Sequence, residues 1–129
     1  MSINVFIKIT SAAAILFGLG WLLVPEFMAV TYGLQPNEVS ILTTRFLGLT
    51  HIGWGMASWL VSESSDWTAL RGAVLGSALG QLIGLIVSVW YTVNGAFNAV
   101  GWSAAVIYGL FFLGALYYVQ AGQSTVKTA

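Results

Sequence analysis

His51 is the only histidine among the 129 residues, and it stands in the middle of a long uncharged run. An ionisable group at membrane depth is costly unless it faces the interior of a bundle and finds a partner. The spacing around it supports such a face. Thr44, Gly48, His51, Gly55, Ser58 and Ser62 follow a 4-3-4-3-4 rhythm, which lines one side of a helix with small and polar groups. Gln81 is the natural partner. If the polar turn that follows is centred near Asp66, His51 and Gln81 each lie 15 residues from it and share a depth. Gln81 also has a stripe of its own, Ser77, Gln81, Gly84 and Ser88. A His51–Gln81 hydrogen bond would satisfy both groups and be worth about 1 kcal/mol. Three chemistries are open to His51. It is a neutral histidine satisfied inside the bundle, a ligand-contacting or proton-handling group, or an axial ligand to haem or chlorophyll. A bis-histidine haem would need a second chain.

Two further charges bear on a site. Arg45 opens the second long apolar run, and Glu26 directly follows Pro25 at the end of the first. The two are expected at one depth, where Arg45 either snorkels to the interface or pairs with Glu26 or Glu38 as a structural clamp or anion site. Glu63, Asp66 and Arg71 are expected to form a solvated cluster, with Asp66 as an N-cap. Other chemistries are missing. There is no cysteine, which excludes thiolate nucleophiles, disulfides and Cys-ligated metals. No acidic residue lies in mid-span, unlike the small multidrug exporters, whose first helix needs a carboxylate. No HExxH, GxSxG or P-loop pattern occurs. Catalysis is therefore not expected, and the sequence requires no cofactor or metal. The net charge of zero gives no reason to invoke nucleic acid.

The elements that position these residues follow from composition. Of the chain, 58% is hydrophobic and 6% charged, against about 25% charged in soluble domains. Lipid must be the solvent for most of the surface. Uncharged runs of 17 residues separate Lys8 from Glu26 and Arg45 from Glu63, and one of 55 separates Arg71 from Lys127. A spanning helix needs roughly 17–25 apolar residues, so the first two runs hold one helix each and the third holds two. The break in the third falls at Asn94-Gly95-Ala96-Phe97-Asn98. The expectation is an all-α, integral membrane four-helix bundle in a single domain, with spans near 4–24, 43–62, 69–92 and 99–120. An outer link covers 25–42, with a short interfacial helix near 26–32, and turns cover 63–68 and 93–98. The runs are long and lack period-2 alternation, and four strands cannot close a barrel in lipid.

The first span differs from a cleaved leader. It ends in Pro25-Glu26-Phe27 without a small-x-small site, and its 16 residues exceed a usual signal core of about 7–15. Lys8, Arg71 and Lys127 fall on one side and Arg45 on the other, which places both termini in the cytoplasm. Trp21, Trp90, Tyr91 and Trp102 would mark the outer interface. Trp59, Trp67, Tyr117 and Tyr118 would mark the inner one.

Gly72, Gly76, Gly80 and Gly84 recur every four residues. Such a strip of bare backbone lets another helix approach closely, within the chain or across a dimer, and Gly48 and Gly55 would do the same on the second span. Pro25-Glu26-Phe27, Tyr32-Gly33-Leu34 and Arg45-Phe46-Leu47-Gly48 resemble the corresponding positions of the DoxX-like small bacterial four-helix membrane proteins. The likeness covers roughly residues 15–60; the second hairpin matches in hydropathy alone. It implies a compact bundle in a bacterial inner membrane and brings no catalytic residues with it. Two functions are expected. One is a non-catalytic accessory subunit, packing against a larger membrane complex or itself. The other is a binder or transporter of a small apolar ligand, a quinone or lipid, touching His51, Gln81, Trp54 and Arg45.

Overall fold

The computed structural model describes residues 1–126 and is all-helical over them. Five α-helices follow one another: α1 (Ile3–Leu23), α2 (Pro25–Thr31), α3 (Glu38–Val61), α4 (Trp67–Val93) and α5 (Gly101–Ala121). A 3-10 turn, Gly122–Thr125, follows α5. Three stretches, Ile3–Leu23, Trp67–Val93 and Gly101–Thr125, are long and apolar enough to cross a membrane, as an integral membrane protein requires. α3 has the length, but Glu38, Arg45 and His51 make it more polar.

Local chemistry sets the boundaries. Proline lacks an N–H and suits a first helical turn; Pro25 thus ends α1 and opens α2. α2 stops at Gly33, whose φ of +83° is open to glycine and strained for other residues. α3 starts at Glu38, five residues before the span expected from hydropathy, because Asn37 and Ser40 form a reciprocal capping box. Asp66 caps α4, its carboxylate accepting from Thr68 N–H at 2.9 Å.

The long helices form two antiparallel pairs. In α1–α3 the backbones touch: a Cβ on Gly48 would lie 2.6 Å from Gly18 O, and one on Gly55 2.9 Å from Ser11 O. In α4–α5, Gly84 faces Tyr108 and Gly101 faces Thr92. Contact between the pairs is sparse. They are joined at one end by a core of Ile3, Phe6, Ile7, Leu70, Val74, Ala78, Ala115 and Tyr118. Tyr118 belongs to this core, turned inward and donating its hydroxyl proton to Met1 O at 3.0 Å. At the same end Asn4 donates to Ser62 O (2.8 Å) and Ser64 O (2.9 Å). Lys8 pairs with Glu63 at 2.8 Å. Lys127 lies outside the described residues.

The opposite end is closed by aromatic rings. Trp21 stacks on Tyr32 at 6.0 Å between centroids, Tyr32 meets Phe97 at 5.4 Å, and Tyr91 meets Phe97 at 5.5 Å. Asn98 fastens this layer through its backbone N–H to Tyr32 O (2.9 Å) and its side chain to Thr31 O (3.0 Å). Burial pushes the Tyr32 phenol above its ordinary pKa, since the phenolate would lose its hydration.

Candidate ligand site

Two tight pairs joined at one end and capped at the other leave a space between them. It is a cavity of about 580 Å³ walled by α1, α3, α4 and α5, within the ~300–1,000 Å³ range of small-molecule sites. Ala13, Ala14 and Phe17 of α1 and Ala104, Ile107 and Phe111 of α5 make its walls apolar. His51, Gln81, Ser77, Ser88 and Tyr108 bring polar atoms, and no Lys, Arg, Asp or Glu is among the lining residues. Trp21, Tyr32 and Phe97 of the aromatic layer form its roof.

His51, Gln81 and Trp54 all line this cavity, but the hydrogen bond expected between His51 and Gln81 is not made. His51 Nδ1 lies 2.9 Å from Leu47 O on its own helix. A carbonyl only accepts, so Nδ1 carries the proton in this contact, and Nε2 is the acceptor in the tautomer that leaves it bare. A local i−4 carbonyl needs no second helix to come into place, which is why it wins over Gln81. The Gln81 side chain makes no hydrogen bond among the described residues, and its Oε1 is buried without a partner.

Arg45 and Glu26 do not join the site. Both are exposed and neither lines the cavity. No ion pair links Arg45 to Glu26 or Glu38 among the described residues. The clamp expected there is absent, because Glu26 sits in the first turn of α2 and Glu38 in the first turn of α3, where the positive helix ends and solvent satisfy them.

The glycines divide into two groups. Gly48 and Gly55 sit at the α1–α3 contact. Gly76, Gly80 and Gly84 line the cavity instead of seating a helix backbone. A Cβ on Gly76 would lie 3.0 Å from the Trp54 ring and one on Gly84 2.8 Å from the Tyr108 ring, whereas Gly72 and Gly80 have nothing within 4 Å. The equal-depth relation that pairs His51 with Gln81 also pairs Gly84 with Tyr108. With the second turn centred at Ala96, Gly84 and Tyr108 each lie 12 residues away. The aromatic roof carried no comparable signal, since Tyr32 and Phe97 come from separate connections.

A family model described as Domain of unknown function (DUF8292) matches residues 1–120, a span that includes all the helices lining the cavity. Comparison with curated proteins gave no match, and neither did comparison with solved structures. The chain belongs to the DUF8292 family.

Proposed function

We propose that this member of the family crosses the bilayer four times and holds a small, mainly apolar molecule inside its bundle. The cavity carries this conclusion. It has the volume of a ligand site, apolar walls, no charge, and polar groups free for a guest at His51 and Gln81. Sites of this composition bind an apolar body and orient it with a few polar contacts. α3 is taken as the fourth crossing because it lies antiparallel against α1 with Gly18, Gly48 and Gly55 in backbone contact. A partner held that closely shares the depth of its neighbour.

Residue 1, the 62–66 turn and the end of α5 lie together, along with Lys8 and Arg71. The positive-inside rule then supports a cytoplasmic position for that end. The likeness to DoxX-like proteins fits a small inner-membrane bundle. Pro25 and Gly33, two of its resembling residues, bound α2, while Gly48 seats α1. An accessory role against a larger complex draws on the lack of extramembrane mass alone. A pigment role would use Nε2 of His51, and an absorption spectrum of the purified protein tests it.

The main test is extraction. The protein is purified in mild detergent from its native membrane, and solvent extracts are compared by mass spectrometry with those of H51A/Q81L. An enriched apolar compound, lost in the variant, is expected. Extracts equal to a mock purification would sink the proposal.

A further inference from the structure

The cavity has two ends and a side, and exposure differs among them. Its α1 and α5 liners are buried or half-buried. On α3 and α4 His51, Ser77, Gln81 and Gly84 are half-buried and Ser88 is buried, but the other liners are exposed: Trp54 is 48% accessible and Ile83 54%, with Leu47, Gly76, Gly80 and Val87 also exposed. The core around Ile3 and Leu70 closes one end and the Tyr32–Phe97 layer closes the other. The remaining way in is sideways, between α3 and α4, at the depth where these helices face lipid. The glycine ladder forms one edge of this gap. Trp54 crosses to Gly76 below and Tyr108 fills the space at Gly84 above, while Gly80 between them has nothing opposite it.

We infer that the gap between α3 and α4 at Gly80 is a lateral portal, through which an uncharged, membrane-dissolved molecule with one oxygen-bearing head enters the cavity. This rests on the ligand-binding function proposed above and adds a route and a head chemistry. A guest coming from lipid need not cross either polar end. Its head must be neutral, because a charge moved into an apolar cavity without a counter-charge is strongly disfavoured, and no Lys, Arg, Asp or Glu lines this one. A hydroxyl suits the groups on offer. Its proton can go to the orphaned Gln81 Oε1 or to His51 Nε2, both acceptors, and its oxygen accepts from the Gln81 amide N–H.

The chain has no cysteine, so a single introduced thiol can block the portal after folding. Gly80→Cys and Gly72→Cys are suited to this, since both sites have open space for a side chain and Gly72 does not line the cavity. Each variant is reconstituted in phosphatidylcholine vesicles and labelled with diazirine-bearing alkyl probes, one hydroxyl-headed, one quaternary ammonium-headed. Labelled residues are mapped by mass spectrometry. The hydroxyl probe is expected to label Ala13–Phe17 and Ala104–Phe111, and the ammonium probe to leave them unlabelled. Benzyl methanethiosulfonate on Gly80→Cys should reduce that labelling severalfold, and dithiothreitol should restore it. On Gly72→Cys it should change nothing. Unchanged labelling of these segments after modification of Gly80→Cys overturns the portal and leaves the binding site standing. Equal labelling by the ammonium probe overturns the neutral head. No labelling of these segments by either probe, in the unsubstituted protein, removes the binding site itself.

Discussion

Replacing Gln81 with leucine should make the protein more stable and less able to bind. In the ligand-free protein the Gln81 Oε1 is buried and has no partner. Burying an amide without a hydrogen bond costs about 1–3 kcal/mol on mutational scales. The side chain is only half-buried, so the lower part of that range applies. Leucine has a similar length, adds no polar atom and meets apolar neighbours. Gln81→Leu is therefore expected to raise the stability of the ligand-free protein by about 1 kcal/mol. The same change removes the amide that orients the guest. With a hydroxyl-headed alkyl probe, protection against unfolding should fall by about 1–2 kcal/mol, the value of one buried hydrogen bond. The assay is unfolding in dodecylmaltoside by added dodecyl sulfate, followed by tryptophan fluorescence, with and without the probe. A midpoint lower than that of the parent protein in the ligand-free titration would show that the amide is satisfied. Unchanged probe protection would show that it does not touch the head. Either result refutes the assignment of Gln81.

Three further outcomes follow from the packing. Gly48→Ala puts a Cβ 2.6 Å from Gly18 O and 2.8 Å from Leu22 N and should destabilise by about 1–3 kcal/mol; Gly72→Ala, with open space around it, should stabilise by up to about 1 kcal/mol through helix propensity, both read from the same dodecyl sulfate titration. Asn4→Ala removes two hydrogen bonds and strands a buried carbonyl, for an expected loss of about 2–4 kcal/mol, and Asn4→Asp should do no better because a carboxylate cannot donate. The raised Tyr32 pKa implies stability that is present below the ordinary value of 10.0 and lost as pH rises above it, because the unfolded phenol ionises first; thermal unfolding from pH 9 to 11 should show a drop that is smaller in Tyr32→Phe.

The long helices were legible because charge is costly in lipid, so eight charged residues punctuate the apolar runs, and three of those helices are long and apolar enough to cross a membrane. The start of α3 was missed because hydropathy ignores capping, and Asn37 with Ser40 extends the helix beyond its apolar part. Helix pairing was harder to read. Lipid-facing and protein-facing residues are equally apolar here, so periodicity does not say which face packs. A glycine ladder marks where something can come close but not what does. Gly18 and Gly48 oppose one another, whereas the more regular ladder on α4 meets two aromatic rings and a gap. Equal depth brought His51 and Gln81 to one cavity, but depth alone does not fix a hydrogen bond when His51 has the Leu47 carbonyl in reach.

The cavity follows from that asymmetry between the pairs. Small residues on both sides let α1 and α3 zip along their length. On the seam between pairs Gly76 of α4 faces Trp54 of α3, whose ring props the two helices apart, whereas Gly84 takes the Tyr108 ring inside the α4–α5 pair. A seam propped at Gly76 stays open at Gly80, which has nothing within 4 Å. The resulting space of about 580 Å³ has exposed liners on α3 and α4, Trp54 and Ile83 among them, so it opens to its surroundings along that side. Water is a poor filler, since the walls offer it few partners. On the proposed reading an apolar molecule occupies the space and reaches it from the bilayer through the exposed side at Gly80. Filling the volume from within, by Gly80→Phe with Ala104→Leu, should then stabilise the protein in detergent while abolishing probe protection. Lower stability together with retained protection would show that the seam is a flexible gap with no defined guest.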